Sequence, residues 1–242
     1  YRDAAGDGYV DSLCRLDNCW PADRKGFPTV VWFHGGGLTG GRREIPKALC
    51  VKGFAVVGVD YRLAPRVKVA DCVADAAAAA AGVAKIIASY GGDPRLIFIA
   101  GHSAGGYLTS MIGLDKRWMA PYGIDPDTAF AALIPYSGQV VTHFARRREM
   151  GIPDTQVVVD DMAPLNYIRP DCPPILILSG DRGREMLGRY EEHAYFWRMM
   201  QVAGHPDVEI REFDGFDHGN MPQAGHYVAV CYIRDFVKKL ER

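Results

Sequence analysis

The sequence predicts an α/β domain, a mostly parallel central sheet flanked by helices, and three observations carry that prediction. Short β-branched and aromatic runs alternate with longer stretches of helical length along most of the chain. The short runs are apolar throughout rather than at every second residue, which suits strands covered on both faces. Several runs lead straight into glycine-rich turns, where a crossover to the next element must begin.

Residues 29–33 (Thr-Val-Val-Trp-Phe) form the first run and end in His34-Gly35-Gly36-Gly37. Residues 54–60 form the second, followed by Tyr61-Arg62-Leu63-Ala64-Pro65. Residues 70–90 are alanine-rich, and Gly91-Gly92-Asp93-Pro94 after them is a strong helix stop. The run 96–100 passes directly into Gly101-His102-Ser103, and 107–114 reads as a helix. Residues 131–134, 175–178 and 208–213 supply three more strands. The stretch 187–202 spaces Leu187, Tyr190, Ala194 and Trp197 three and four apart, and 227–240 places Val228, Cys231, Tyr232, Phe236 and Leu240 on a last helix. The expected organisation is one domain over 1–242. Residues 135–174 break the rhythm with repeated glycines and prolines, and such long connections in compact domains serve as lids or substrate-facing insertions.

Composition narrows the classes. Hydrophobic residues make up 48% and charged residues 24% of 242, and the formal net charge is -1. There is ample apolar surface to offset the entropy of ordering, and no basic face of the kind nucleic acid requires. The Arg146-Arg147-Arg148 run beside Glu149 reads as a solvated face. No apolar stretch approaches the ~20 residues that span a bilayer, so a soluble chain without a membrane span is expected. The six cysteines contain no C-x-x-C pair, so no metal site is expected. Cys50, Cys72 and Cys231 read as core thiols, while Cys14 and Cys19 stay open between a disulfide and free thiols. The chain begins at Tyr1 without a methionine, as a processed or trimmed chain would, and the compartment is open between exported and cytoplasmic.

The chemistry sits in two glycine-rich turns. Gly101-His102-Ser103-Ala104-Gly105 is a G-x-S-x-G between a strand and a helix, the context that raises a serine hydroxyl on a sharp turn at the sheet's carboxyl edge. A helix N-terminus there favours developing negative charge. His34-Gly35-Gly36-Gly37 follows another strand and can bend its N–H groups toward one spot, as an oxyanion requires. A serine nucleophile needs a base and a group to orient it, in the chain order Ser, Asp or Glu, His. Asp181 follows the strand 175–178, and His218 in Gly215-Phe216-Asp217-His218-Gly219 follows the last strand. Asp214 and Asp217 share a strand end with His218 and are the poorer acids. His102, beside Ser103, is expected to line the pocket or pack; His193, His205 and His226 are expected to face solvent.

His34-Gly-Gly-Gly37, Asp60-Tyr-Arg-Leu-Ala-Pro65, Gly91-Gly-Asp-Pro94 and Gly101-His-Ser-Ala-Gly-Gly106 together resemble the hormone-sensitive-lipase-like branch of α/β-hydrolases, from about residue 28 onward. The resemblance implies an α/β-hydrolase fold and oxyanion donors at Gly36, Gly37 and Ala104. More narrowly, Gly151-Ile-Pro-Asp-Thr-Gln156, Gly180-Asp-Arg182, Met186-Leu-Gly-Arg-Tyr190 and Gly215-Phe-Asp-His-Gly219 resemble bacterial esterases that release acetyl or feruloyl groups from plant carbohydrate. Only 33 residues precede His34, so the helical cap many relatives carry there is not expected, and long lipid chains are disfavoured.

The expected activity is that of a serine carboxylesterase without cofactor or metal, acting on a small ester or an acylated carbohydrate. Ser103 would be the nucleophile, His218 the base and Asp181 the orienting acid, with His34, His102, His143 and Phe144 as candidate substrate contacts. A peptidase or arylformamidase on the same machinery is the alternative. A non-catalytic binding module of this fold would lose the serine or histidine, and both are present.

Overall fold

The computed structural model describes residues 1–3, 6–50 and 52–240. Its centre is a seven-stranded sheet made of β1 (Leu16–Cys19), β2 (Phe27–Phe33), β3 (Ala55–Val59), β4 (Gly92–His102), β5 (Ala132–Tyr136), β6 (Ile175–Gly180) and β7 (Val208–Phe213). The spatial order is β1-β3-β2-β4-β5-β6-β7. Every pair is parallel except β1 with β3, where Leu16 opposes Val59 and Cys19 opposes Val56. β1 is only four residues long, with an exposed centre, too short and polar for its sequence to announce a strand.

Side chains alternate across the sheet. Val31, Phe33, Val57, Val59, Ile97, Ile99, Leu133 and Ile177 enter one core with α2 (Val69–Ile86), α3 (Ala104–Leu114) and α6 (Arg189–Val202). Val30, Trp32, Val56, Phe98, Ile134, Tyr136 and Leu178 enter a second core under α7 (Pro222–Leu240). The described residues also hold the short α-helices α1 (Gly8–Leu13), α4 (Pro126–Ala129) and α5 (Phe144–Glu149).

Two expectations change here. The stretch Val69–Tyr90 is, by length and composition, apolar enough to cross a membrane, with 22 residues at a hydropathy of 1.5. In the fold its alanines Ala76, Ala77, Ala79, Ala80 and Ala81 are buried in the first core, because methyl side chains let the helix approach sheet and α3 closely. The cysteines are all free; Cys14 and Cys72 are buried, Cys50 and Cys231 only partly so, and Cys14 and Cys19 do not pair.

The connection from β5 to β6 is tied down along its length. Thr142 and Asp160 bond each other through Oγ1–Oδ1 (2.7 Å), and Tyr107 of α3 donates to the Met162 carbonyl at 2.8 Å. Glu149 accepts the first N–H of α2 from Val69 at 2.6 Å. The arginine run is not a solvated face. Arg147 is fully buried and donates to the Asp154 and Gln156 carbonyls at 2.7 Å, while Arg146 pairs with Glu149 and Arg148 with Asp154.

Candidate active site

Ser103 stands between β4 and α3 with φ 56° and ψ −114°, a conformation an L-residue holds only when its surroundings impose it. A Cβ at Gly101 or Gly105 would run into the Phe33 carbonyl, so glycine on either side lets the turn press against the end of β2. The Ser103 N–H donates to the Tyr136 carbonyl at 2.7 Å, which locks the turn to the carboxyl end of β5. The hydroxyl lies 2.9 Å from His218 Nε2.

His218 follows β7, and its other nitrogen decides the tautomer. Nδ1 lies 2.9 Å from Glu185 Oε2 and 3.0 Å from Ser137 Oγ. With a carboxylate on that side, Nδ1 carries the proton and Nε2 is left bare to receive one from Ser103. Ser137 also donates to Glu185 Oε1, and the Gly180 N–H reaches the same oxygen at 3.1 Å. Burial pushes the Glu185 carboxyl up, but the hydrogen bonds from His218 and Ser137 and the imidazole charge outweigh it, and the pKa falls to about 2.

This arrangement corrects the acid. Asp181 does not reach His218; its carboxylate accepts the N–H of Gly183 at 2.7 Å and of Gly215 at 2.8 Å, tying two loops together. The chain after β6 makes a single tight turn, in which the Arg184 and Glu185 N–H groups both bond the Asp181 carbonyl. That turn carries the side chain four residues on back over the strand end, while Asp181 points outward. The signal was present: Glu185 is the other carboxylate between β6 and α6, and the chain-order rule admits Glu as readily as Asp.

The glycine turn after β2 lies beside Ser103, since a Cβ on Gly35 would stand 3.4 Å from Ser103 Cβ. Gly36 and Gly37 both have positive φ, 112° and 64°. Ala104 opens α3 directly after Ser103. The motif Asp60-Tyr-Arg62 acts beneath this loop. Tyr61 stacks on His34 with ring centroids 4.3 Å apart, Asp60 holds Arg43 at 2.6 Å, and Arg62 forks onto the buried Asp75 of α2 at 2.7 and 2.8 Å.

The candidate substrate contacts fare differently. His34 is buried and donates from Nδ1 to the Gly35 carbonyl at 2.6 Å, so it shapes the loop from below. His102 packs at 4.9 Å from the His218 ring and bonds the His218 carbonyl through Nε2 at 2.8 Å. Burial, then the nearby His218, lower its pKa to about 4. His143 is buried and caps α5 by accepting the Ala145 N–H at 3.1 Å. Phe144 is half-buried under the Arg147 guanidinium, 4.5 Å above its ring. His193, His205 and His226 do not face solvent. His193 is fully buried and donates to the Gly138 carbonyl at 2.7 Å, His205 bonds the Cys172 carbonyl at 3.0 Å, and His226 packs on Trp32 and Tyr136. Each packs inward against a backbone carbonyl or an aromatic ring.

A strained serine on a strand–helix elbow, bonded to a histidine that follows the last strand, is the layout of one superfamily, and comparison with known proteins places the chain within it. The family model described as BD-FAE matches residues 16–132. The apo form of Thermogutta terrifontis esterase 2 superposes with a TM-score of 0.75 at 25% identity, covering 92% of both chains. The chain has the α/β-hydrolase fold. The chain is 39% identical over 234 residues to a probable isoprenylcysteine alpha-carbonyl methylesterase of Oryza sativa, covering 86% of this chain and 54% of the relative. It is 29% identical over 205 residues to the probable carboxylic ester hydrolase LipM of Mycobacterium tuberculosis, covering 75% of this chain and 47% of that one. The chain therefore spans about half the length of the curated relatives it matches.

Proposed function

We propose that this hydrolase cleaves carboxylic esters through an acyl-enzyme on Ser103. The observation that carries the reading is the continuous hydrogen-bonded line from Ser103 Oγ through His218 to Glu185, at 2.9 Å on each side of the imidazole. His218 Nε2 takes the serine proton as the hydroxyl attacks the ester carbonyl, and the Glu185 carboxylate stabilises the imidazolium that forms. The N–H groups of Gly36, Gly37 and Ala104 receive the oxyanion. His218 returns its proton to the departing alcohol, and water then releases the acid by the same path.

The substrates proposed are short-chain or aryl esters, including acetyl or feruloyl groups on plant carbohydrate. The resemblance of residues 151–156, 180–182, 186–190 and 215–219 to bacterial acetyl and feruloyl esterases supports that class. The identity to a methylesterase favours methyl esters as a second class. The test is a fluorophosphonate probe followed by peptide mapping, with hydrolysis measured on p-nitrophenyl acetate, acetylated and feruloylated xylan, and a cysteine methyl ester. Wild type should be labelled at Ser103 and turn over one of these esters, and Ser103→Ala should lose both label and turnover. Undiminished turnover by folded Ser103→Ala would overturn the mechanism.

A further inference from the structure

The residue just past β5 has no place in the three-membered line, yet it touches two of its members. Ser137 is fully buried and has φ 50°, a left-handed conformation that costs a serine energy and that glycine would accept freely. Four contacts hold it there. Its N–H donates to the Leu178 carbonyl of β6 at 2.7 Å, and its carbonyl accepts Nη1 of the buried Arg189. Its hydroxyl donates to Glu185 Oε1, and the oxygen stands 3.0 Å from His218 Nδ1. The preceding carbonyl, of Tyr136, accepts the Ser103 N–H. Two successive residues at one strand end thus brace the serine on one side and the histidine–carboxylate pair on the other.

We propose that Ser137 is a positioning residue for this hydrolase, its hydroxyl fixing the Glu185 carboxylate and sharing the His218 Nδ1 proton. The proposal rests on the serine-esterase reading above. Its physical content follows from the hydroxyl's single proton. Because that proton goes to Glu185 Oε1, the oxygen's lone pair is free to face Nδ1, so the imidazole N–H is shared between Glu185 Oε2 and Ser137 Oγ. The carboxylate is held in one rotamer by the Gly180 N–H and the Ser137 hydroxyl on one oxygen and by His218 on the other. Without the hydroxyl, Glu185 Oε1 keeps only the Gly180 N–H, so the carboxylate is held less tightly and the imidazole can tilt about its remaining bond to Oε2. A glycine at 137 would suit the backbone better, so the side chain is what the strained conformation delivers.

Two substitutions separate the hydroxyl from the backbone. Ser137→Ala removes the hydroxyl and keeps the strain; Ser137→Gly removes the hydroxyl and relieves the strain. Since the lost hydrogen bonds are to charged groups, kcat should fall roughly 10- to 100-fold in both. KM for p-nitrophenyl acetate should stay within about twofold, because ground-state binding is untouched. Ser137→Gly should unfold at a higher temperature than Ser137→Ala. The proton resonance of His218 Nδ1, recorded without substrate for the wild type and both variants, should move or broaden in both variants. A merely structural role predicts instead that Ser137→Gly keeps wild-type kcat and an unmoved resonance, and that result overturns the proposal. If the wild type takes no fluorophosphonate at Ser103, the esterase reading fails by itself, and the resonance still reports on Ser137.

Discussion

Replacing Glu185 by glutamine should cripple the hydrolase, whereas replacing Asp181 by asparagine should barely slow it. In Glu185→Gln the shape of the side chain is kept and one negative charge is lost, 2.9 Å from His218 Nδ1, on a side chain only 1% exposed. At an effective dielectric of about 20, a pair at that distance attracts by roughly 5–6 kcal/mol. The attraction exists in full only while the imidazole is charged, which is the transition state, so it lowers the barrier rather than tightening substrate binding. Converted at about 1.4 kcal/mol per decade, it corresponds to a loss of kcat on the order of 10⁴-fold. The amide can also present N–H toward Nδ1 and favour the wrong tautomer, which acts in the same direction. Asp181→Asn, by contrast, disturbs two backbone N–H contacts on exposed loops. It should leave kcat within roughly threefold, because neither contact reaches His218. The assay is steady-state hydrolysis of p-nitrophenyl acetate by both variants, with circular dichroism to confirm folding. Near-normal turnover by Glu185→Gln together with collapse in Asp181→Asn would refute the assignment.

Other predictions follow from the buried histidines and the tight turns. Burial lowers the pKa of His102, His193 and His226 to about 4 and of His143 to about 3. These groups are neutral when folded and take up protons when unfolded, so stability is full above pH ~6.5 and is lost as pH falls toward 4, by up to about 1.4 kcal/mol per pH unit for each. Thermal melts between pH 7 and 4.5 should show this slope, and a flat melting temperature would contradict it. Glu185 adds nothing to that loss until pH falls below about 4.5, since its folded pKa is about 2 and its contribution disappears between those values. His102→Leu should lower kcat on the order of tenfold, because the bond holding the His218 carbonyl goes with the ring; unchanged kcat would show that loop to be held by other contacts. Gly138→Ala should destabilise by about 1–3 kcal/mol in urea titration, since its Cβ would stand 2.6 Å from the Tyr107 nitrogen, and an unaltered midpoint would count against the close approach of β5's end to α3.

The sequence by itself determined the sheet, the nucleophile elbow and the partner histidine. Continuous apolar runs are what doubly covered strands require, and five of the seven strands were legible as such runs, while β7 at the sheet edge alternates apolar and charged residues. Ser103 and His218 could be read because a glycine-flanked turn and a strand-end histidine are local features, fixed within a few residues. What tertiary structure decided was every choice between near-equal candidates. Asp181 and Glu185 both follow β6, and only the turn at 181–185 sends one inward. His34 and His143 look like pocket residues along the chain, yet Tyr61 and the α5 cap draw them inside. Arg147 reads as one of three surface cations until the carbonyls of 154 and 156 fold over it. Ser137 carries no motif, because its importance comes from φ 50° and from neighbours 48 and 81 residues away. Local chemistry is written along the chain, but the direction a side chain faces is set by packing between segments distant in sequence.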